Sequence, residues 1–297
     1  MVVQQQRSGG GTRAVCALAV VGVMVAAAGC GGDGGDGDRA AADARSGPGG
    51  VAAVRRAAAV LAGPGAVAGS AEVVTSMETA SGGTRVTIRG RGTYDFRTQS
   101  GRLKVVLPQD AAGEDEHRPI TELLAPGALY MMNRGAGVPA DKWVRIDTTA
   151  LADGNLVTGG VTDPMAAAEL LGGVSAVTYV GETDLAGVTV RHYRGTTDIA
   201  RAARRASAAS RGALTAAANG FRTDSVPFDA YLDEQGRLRK VRHRFSFVNE
   251  GRTREVVSTT LLYGFGVRVS VPLPDARDIY TGEIEQGRAP GGTADGS

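Results

Sequence analysis

The 297-residue chain carries 33 lysines and arginines against 31 aspartates and glutamates, a formal net charge of +2, with 42% apolar residues and only two cysteines. This near-neutral balance excludes a nucleic-acid binder, which needs a clear cationic excess, and two cysteines exclude a disulfide framework. All but Lys104, Lys142 and Lys240 of the basic residues are arginine, and with 44 glycines this points to a GC-rich genome such as an actinobacterium's. In chain order the first element is a targeting segment. Arg7 and Arg13 precede an apolar run, Ala14 to Ala26, that closes on Ala27-Ala28-Gly29-Cys30. The run is too short to cross about 30 Å of hydrocarbon as a helix. With its basic flank and small residues at the end, it reads as a secretion signal over residues 1–29.

A cysteine directly after Ala-Ala-Gly resembles the bacterial lipobox, in which the thiol is acylated and the cut falls before it. An ordinary signal peptide followed by an incidental cysteine is the competing reading. Cys16 leaves with the signal, so Cys30 is the only thiol of the mature chain and cannot form an intramolecular disulfide. Lipidation explains a lone N-terminal cysteine in an exported protein. At about 0.8 kcal/mol per buried CH₂, two or three acyl chains anchor firmly. The expected location is the outer face of the cell membrane, held there through acylated Cys30. Loss of Arg7 and Arg13 leaves the mature chain with no net charge.

Residues 30–50 form the lipidated cysteine and a Gly/Asp/Ala tether with nothing able to build a core. A Gly-rich polar tail is expected to be disordered over residues 281–297. Between them residues 51–280 suffice for one well-buried domain. Its first element is a helix, Val51 to Leu61, stopped by Gly63-Pro64-Gly65. Three strands follow as a meander: Glu72 to Thr79, Thr84 to Phe96 and Arg102 to Leu107. In the middle strand Arg85, Thr87, Arg89, Arg91, Thr93 and Asp95 alternate with Val86, Ile88, Gly90, Gly92, Tyr94 and Phe96. One face is therefore wet and the other covered. Gly90 and Gly92 on the covered face predict either a sharp bend or room for something else.

A polar loop with the acidic run Glu114-Asp115-Glu116 leads to short strands at Ala128 to Met132 and Lys142 to Asp147. Asp163-Pro164 caps a helix that ends at Leu171. Strands at Ala176 to Glu182 and Val188 to Thr196 precede a helix from Asp198 to Ala218. Ile199, Ala202, Ala203, Ala206, Ala213, Leu214 and Ala217 gather on one side of it and Arg201, Arg204, Arg205 and Arg211 on the other. The basic stripe is either a solvated face or a dock for anionic lipid. Strands at Phe228 to Asp233, Gly236 to Val248 and Thr253 to Tyr263 close the domain as consecutive hairpins. The class is α+β, a long antiparallel sheet with a few helices.

The covered strand faces supply candidates for an acyl-chain cavity: Val86, Ile88, Tyr94 and Phe96, then Leu129 and Met131, then Val241, Phe245, Phe247, Leu261 and Tyr263. Packing of these residues against the helices is the alternative. His243 shares their register, as a core histidine or as a polar contact to a lipid headgroup. The histidines His117, His192 and His243 fall at no metal-ligand spacing, and no cofactor motif is present. No Gly-x-Ser-x-Gly elbow or phosphate loop occurs, so catalysis is not expected.

Three segments carry a family resemblance. They are Val180 to Gly195 (VGETDLAGVTVRHYRG), Tyr231 to Val241 (YLDEQGRLRKV), and Tyr263-Gly264-Phe265-Gly266-Val267 running to Val271-Pro272-Leu273-Pro274. With the lipobox they resemble the LolA-like actinobacterial lipoproteins of the LprG and LppX group. The resemblance implies a strongly curved antiparallel half-barrel sheet covered by helices, whose concave face holds acyl chains. It further implies a carrier of a lipid or acylated glycolipid through the cell envelope, working with an envelope transporter or protein. An envelope sensor or interaction module of the same fold, without a transported ligand, is the other function it admits.

Overall fold

The computed structural model describes residues 46–62, 69–81, 84–107, 119–134, 137–157, 162–221, 225–249 and 252–282. The signal, Cys30, most of the tether, the acidic run and nearly all of the tail lie outside them. The described elements begin with helix α1 (Gly47–Ala62) and strands β1 (Ser70–Ser81), β2 (Thr84–Asp95), β3 (Ser100–Val106), β4 (Ile120–Ala125), β5 (Ala128–Met132) and β6 (Trp143–Asp147). After helix α2 (Pro164–Leu170) come β7 (Val174–Leu185) and β8 (Val188–Asp198). Helices α3 (Ile199–Arg205) and α4 (Ala208–Gly220) and strands β9 (Ser225–Leu232), β10 (Leu238–Asn249) and β11 (Arg252–Tyr263) complete the order.

All eleven strands join one antiparallel sheet in the order β6-β5-β4-β3-β2-β1-β11-β10-β9-β8-β7. Each half is a meander of sequence neighbours, and the β1–β11 pairing joins the halves. The sheet is open, with β6 and β7 at its edges. Period-2 burial is clearest on β3, where Gly101, Leu103 and Val105 are buried while Arg102, Lys104 and Val106 are exposed. The buried face belongs to one continuous core that includes Val144 of β6, Val174 and Val177 of β7, and Val54, Ala57 and Leu61 of α1. In a flat sheet those edges would stand about 48 Å apart at the usual strand spacing. Their sharing of a core around α1 is the half-barrel curvature that the sequence resemblance implies.

The helices lie against the inner face. Arg55 of α1 donates to the Val174 carbonyl, and the Ser46 hydroxyl accepts from the Tyr179 amide. The Asp163 cap of α2 forms as expected, its carboxylate accepting from the Met165 and Ala166 amides at 2.6 and 3.4 Å. The single helix expected from Asp198 to Ala218 is instead two. Ala206 turns extended (ψ 154°), and Ser207 caps the second helix by accepting from the Ser210 amide. Even so, every residue assigned to its apolar side, from Ile199 to Ala217, is buried. Strand β4 was expected as loop, because adjacent Leu123 and Leu124 and an inward Glu122 erase the alternation that marks a strand.

At Gly92 the backbone of the neighbouring strand fills the space that a side chain would occupy, so it leaves no room for something else. A Cβ there would stand 1.8 Å from the Arg102 carbonyl oxygen, so β2 and β3 approach at a distance only glycine permits. Gly92→Ala is expected to destabilise the domain by about 3 kcal/mol, the upper range for overpacking, read as a lowered urea midpoint. An unchanged midpoint would show that the strands can separate without loss.

Candidate functional site

The residues expected to line a cavity divide between two places. Tyr94, Phe96, Leu129, Met131 and Val241 are buried in the core around α1, and Phe245 is buried in the adjoining core under α3 and α4. Ile88 is half-buried and touches both cores. Val86 shares their face but is 41% exposed. Phe247 has its backbone in β10, and its side chain lies outside the described ones. Leu261 and Tyr263 require a correction. On β11 the inward residues are Val256, Ser258, Thr260 and Leu262, so Leu261 and Tyr263 face away from the helices. Two of the four inward side chains are hydroxylic, which inverts the apolar pattern on which the expectation rested.

The inner face is packed, yet it contains polar groups that its neighbours do not satisfy. Thr75 and Thr260 pair directly across β1 and β11, and neither hydroxyl has a hydrogen-bond partner. Beside them His243 is 1% exposed, between Phe228 and Phe245, with both ring nitrogens partnerless. Burial pushes its imidazole down to about 3, so it is neutral. Ser258, opposite His243, bonds Thr162 at 2.6 Å. In the other half Glu122 is fully buried between Leu103 and Met131, its two oxygens unpartnered. Burial pushes its carboxyl up to about 8, opposed by the charge of Arg134. Such groups cost stability in a closed core, and they are the polar points that a ligand entering between sheet and helices would meet.

The cover over this face is unusually fine-grained. Its buried side chains include Ala166, Ala167 and Ala168 of α2, Ala202 and Ala203 of α3, and Ala213 and Ala217 of α4. A buried methyl contributes about 0.8 kcal/mol, where a leucine contributes about 1.5–3 kcal/mol. These helices are therefore held less strongly than leucine-rich ones of the same length.

The outer face is cationic and carries a groove. Arg89, Arg91, Arg102, Lys104 and Arg242 project from it with no ion-pair partner among the described residues. A groove of about 470 Å³ runs over Val74, Leu261 and Tyr263, with Arg91 and Arg239 on its border. Its far wall is the β7–β8 turn, through Leu185, Ala186 and Val188. The Tyr263 hydroxyl donates to Glu72; burial first, then this bond, push the phenol above its ordinary range. Two buried aspartates brace the same face. Asp229 accepts from His192 at 2.8 Å, Arg194 at 3.1 Å and Arg244 at 2.6 Å, while Asp233 holds Arg237 and Arg239, both at 2.8 Å. Sequence reasoning missed Asp229 because its partners come from the neighbouring strands β8 and β10, and it read Asp233 only as a turn residue although Arg237 and Arg239 follow it closely in the chain; the groove was missed because its wall is a distant hairpin.

Among the described residues no three His, Cys, Asp or Glu side chains are placed to hold a metal ion. No described helix is long and apolar enough to cross a membrane. The expected basic stripe is partly engaged within the protein, since Arg205 donates to the Gly172 carbonyl and Arg211 to that of Ala206.

An open antiparallel sheet whose two edges share one core with the helices is a half-barrel, the architecture that the sequence resemblance implies. Among solved structures the chain is similar in fold to the Mycobacterium tuberculosis lipoprotein LppX, with 12% identity and a TM-score of 0.46, covering 76% of this chain and 99% of that one. It is also similar to LprF from Mycobacterium bovis (13% identity, TM-score 0.40, covering 77% and 98%). A putative outer membrane lipoprotein-sorting domain from Vibrio parahaemolyticus is a further likeness (8% identity, TM-score 0.30, covering 74% and 93%). No family model matches the chain, and no curated protein matches it. The likeness is one of fold.

The buried carboxyl gives a pH signature. Glu122 keeps its proton in the folded state up to about 8, whereas the unfolded chain releases it near 4.5. Stability from this group is full below 4.5 and falls as pH rises toward 8, by up to about 1.4 kcal/mol per unit. Asp163, raised to about 6 chiefly by burial, acts in the same sense at lower pH. His243 acts in the opposite sense, losing stability as pH falls from 6.5 toward 3. Between pH 6.5 and 8 Glu122 therefore dominates these three. Urea midpoints are expected to fall across that window in the native protein and to stay level in Glu122→Gln. A native profile that is already flat would refute the assignment.

Proposed function

We propose that this chain is an envelope lipoprotein, acylated on Cys30 at the outer face of the cell membrane, that holds a lipid or acylated glycolipid between sheet and helices and carries it through the envelope. The observation that carries the reading is the inner face itself. It is apolar from one sheet edge to the other, it is covered by helices attached largely through alanine, and it contains the partnerless Thr75, Thr260, His243 and Glu122. Acyl chains need an apolar surface and offer no hydrogen bonds, so they replace the helices as cover at little cost. A sugar or ester headgroup offers hydroxyls or carbonyls to the orphan polar groups. Binding, rather than chemistry on the ligand, is the role that suits this set.

The packed interior favours a second reading as well, an envelope interaction module of the same fold without a transported ligand. One measurement separates them. Native mass spectrometry with lipid extraction, on the chain purified from its membrane fraction, is expected to find a co-purifying lipid at one per protein. Lipid-free protein that takes up no added phospholipid or glycolipid would leave the interaction module.

The anchor has its own test. Cys30→Ala is expected to abolish palmitate incorporation and to leave the signal uncleaved, giving a heavier chain on mass analysis. Normal cleavage in that variant would return residues 1–29 to an ordinary signal peptide.

A further inference from the structure

We propose that the outer-face groove is a second binding site, separate from the interior, for a single-chain amphiphile with an anionic headgroup. The chain lies over Val74 and Leu261, against Leu185 and Val188 of the β7–β8 turn, and the headgroup sits on Arg91. The groove lies on the outer face: Val74 and Leu261 are the outward neighbours of the buried Val73 and Leu262, and of the core residues only Leu262 also borders it. Its volume of about 470 Å³ falls in the range of small-molecule sites.

The nature of the occupant follows from what the floor lacks. Val74 and Leu261 face each other in the β1–β11 pairing, and β1 is also paired with β2, so the backbone groups of this floor are consumed in interstrand ladders. It presents no free strand edge, which a bound peptide would need for its own amides. The polar side chains on the floor, Glu72 and Tyr263, are engaged with each other. An acyl chain makes no hydrogen-bond demand there and gains from leaving water.

Charge fixes the headgroup. Arg91 borders the groove and stands directly opposite Lys104 in the β2–β3 pairing, while Lys240 stands directly opposite Leu261 on β10. Arg239, the other guanidinium of the border, is held by Asp233 at 2.8 Å and lies over the Phe265 ring, so it is fixed in place. The charge of Arg239 is met by Asp233 and Lys240 lies over the Tyr231 ring, so Arg91, backed by Lys104, is the cation left to a ligand, against the one carboxylate of the groove lining, Glu72. A phosphate or carboxylate headgroup is complementary to that rim, whereas a zwitterionic one brings a cation of its own that the rim repels.

The test is native mass spectrometry of the full chain released from detergent with either lysophosphatidylglycerol or lysophosphatidylcholine. The expected result is a single bound lysophosphatidylglycerol, at least fivefold lower occupancy with lysophosphatidylcholine, and at least tenfold weaker binding in Arg91→Glu and in Leu261→Asn. Arg89→Glu, on the same strand face but outside the groove, is expected to bind as the native chain does and controls for loss of charge alone. Equal occupancy by the two headgroups, or unchanged binding in Arg91→Glu, overturns the site. Because Leu261 and Arg91 do not touch the interior, a lipid that co-purifies and persists in both variants reports on the inner face and leaves the two sites distinguishable.

Discussion

Nine backbone pairs between β1 and β11, from Glu72 with Tyr263 to Ala80 with Glu255, hold this domain in one piece. Each half of the sheet is built from sequence neighbours and could be laid down locally, but the joint between them links residues nearly two hundred positions apart. Loop closure over that span must precede any return from the contact, so of all the strand pairings this joint carries the largest closure cost. Both proposed binding surfaces sit on it. Its inward residues include Val73, Thr75, Met77, Val256, Ser258, Thr260 and Leu262, and its outward ones include Glu72, Val74, Leu261 and Tyr263.

The inward side of that joint explains a core that is not purely apolar. Thr75 opposite Thr260, with Ser258 opposite His243, places polar atoms in the middle of the sheet, where a one-residue slip would carry them to the other face and expose Leu262. Marking register is one benefit of burying them. Register alone does not require that they stay unsatisfied, and Ser258 shows that a partner can be supplied, since Thr162 bonds it. Thr75, Thr260 and His243 remain partnerless, and they lie beneath helices attached through small side chains. The stability forgone at these positions is most simply understood as capacity for another partner.

Much of the architecture was legible in the sequence, because period-2 alternation survives into the structure on β3 and on the second half of β2, where Tyr94 and Phe96 are buried. Asp163-Pro164 marked its helix for the same local reason. Legibility ended where a long-range partner sets the pattern. On β4, Glu122 is inward because Leu103 and Met131 flank it, and no local rule predicts a buried carboxyl there. On β11 the inward hydroxyls follow from pairing with Thr75 and His243, so apolarity pointed to the wrong face. The break at Ser207 was hidden because the apolar stripe continues through it and both halves bury the same side. The candidate acyl-chain residues were therefore largely placed in the core, while the groove, made by a hairpin tip reaching over distant strands, left no trace in any single segment.

The preference for arginine also divides by location, and the division bears on function. Arg194 and Arg244 converge on Asp229, and Arg237 and Arg239 converge on Asp233 while lying over the Phe265 ring. A planar fork that bonds a carboxylate and covers an aromatic face at once is a task lysine cannot perform, so these positions use guanidinium chemistry. Burial alone would push both aspartates up, yet their bonds to these partners keep them below the ordinary carboxylate range. Arg89, Arg91 and Arg102, by contrast, have no such partner among the described residues and sit on strands β2 and β3. A chain-wide preference for arginine over lysine does not by itself account for their shared face. Cations that stabilise nothing within the fold, set beside an apolar groove, are the feature of this surface that the fold itself does not require.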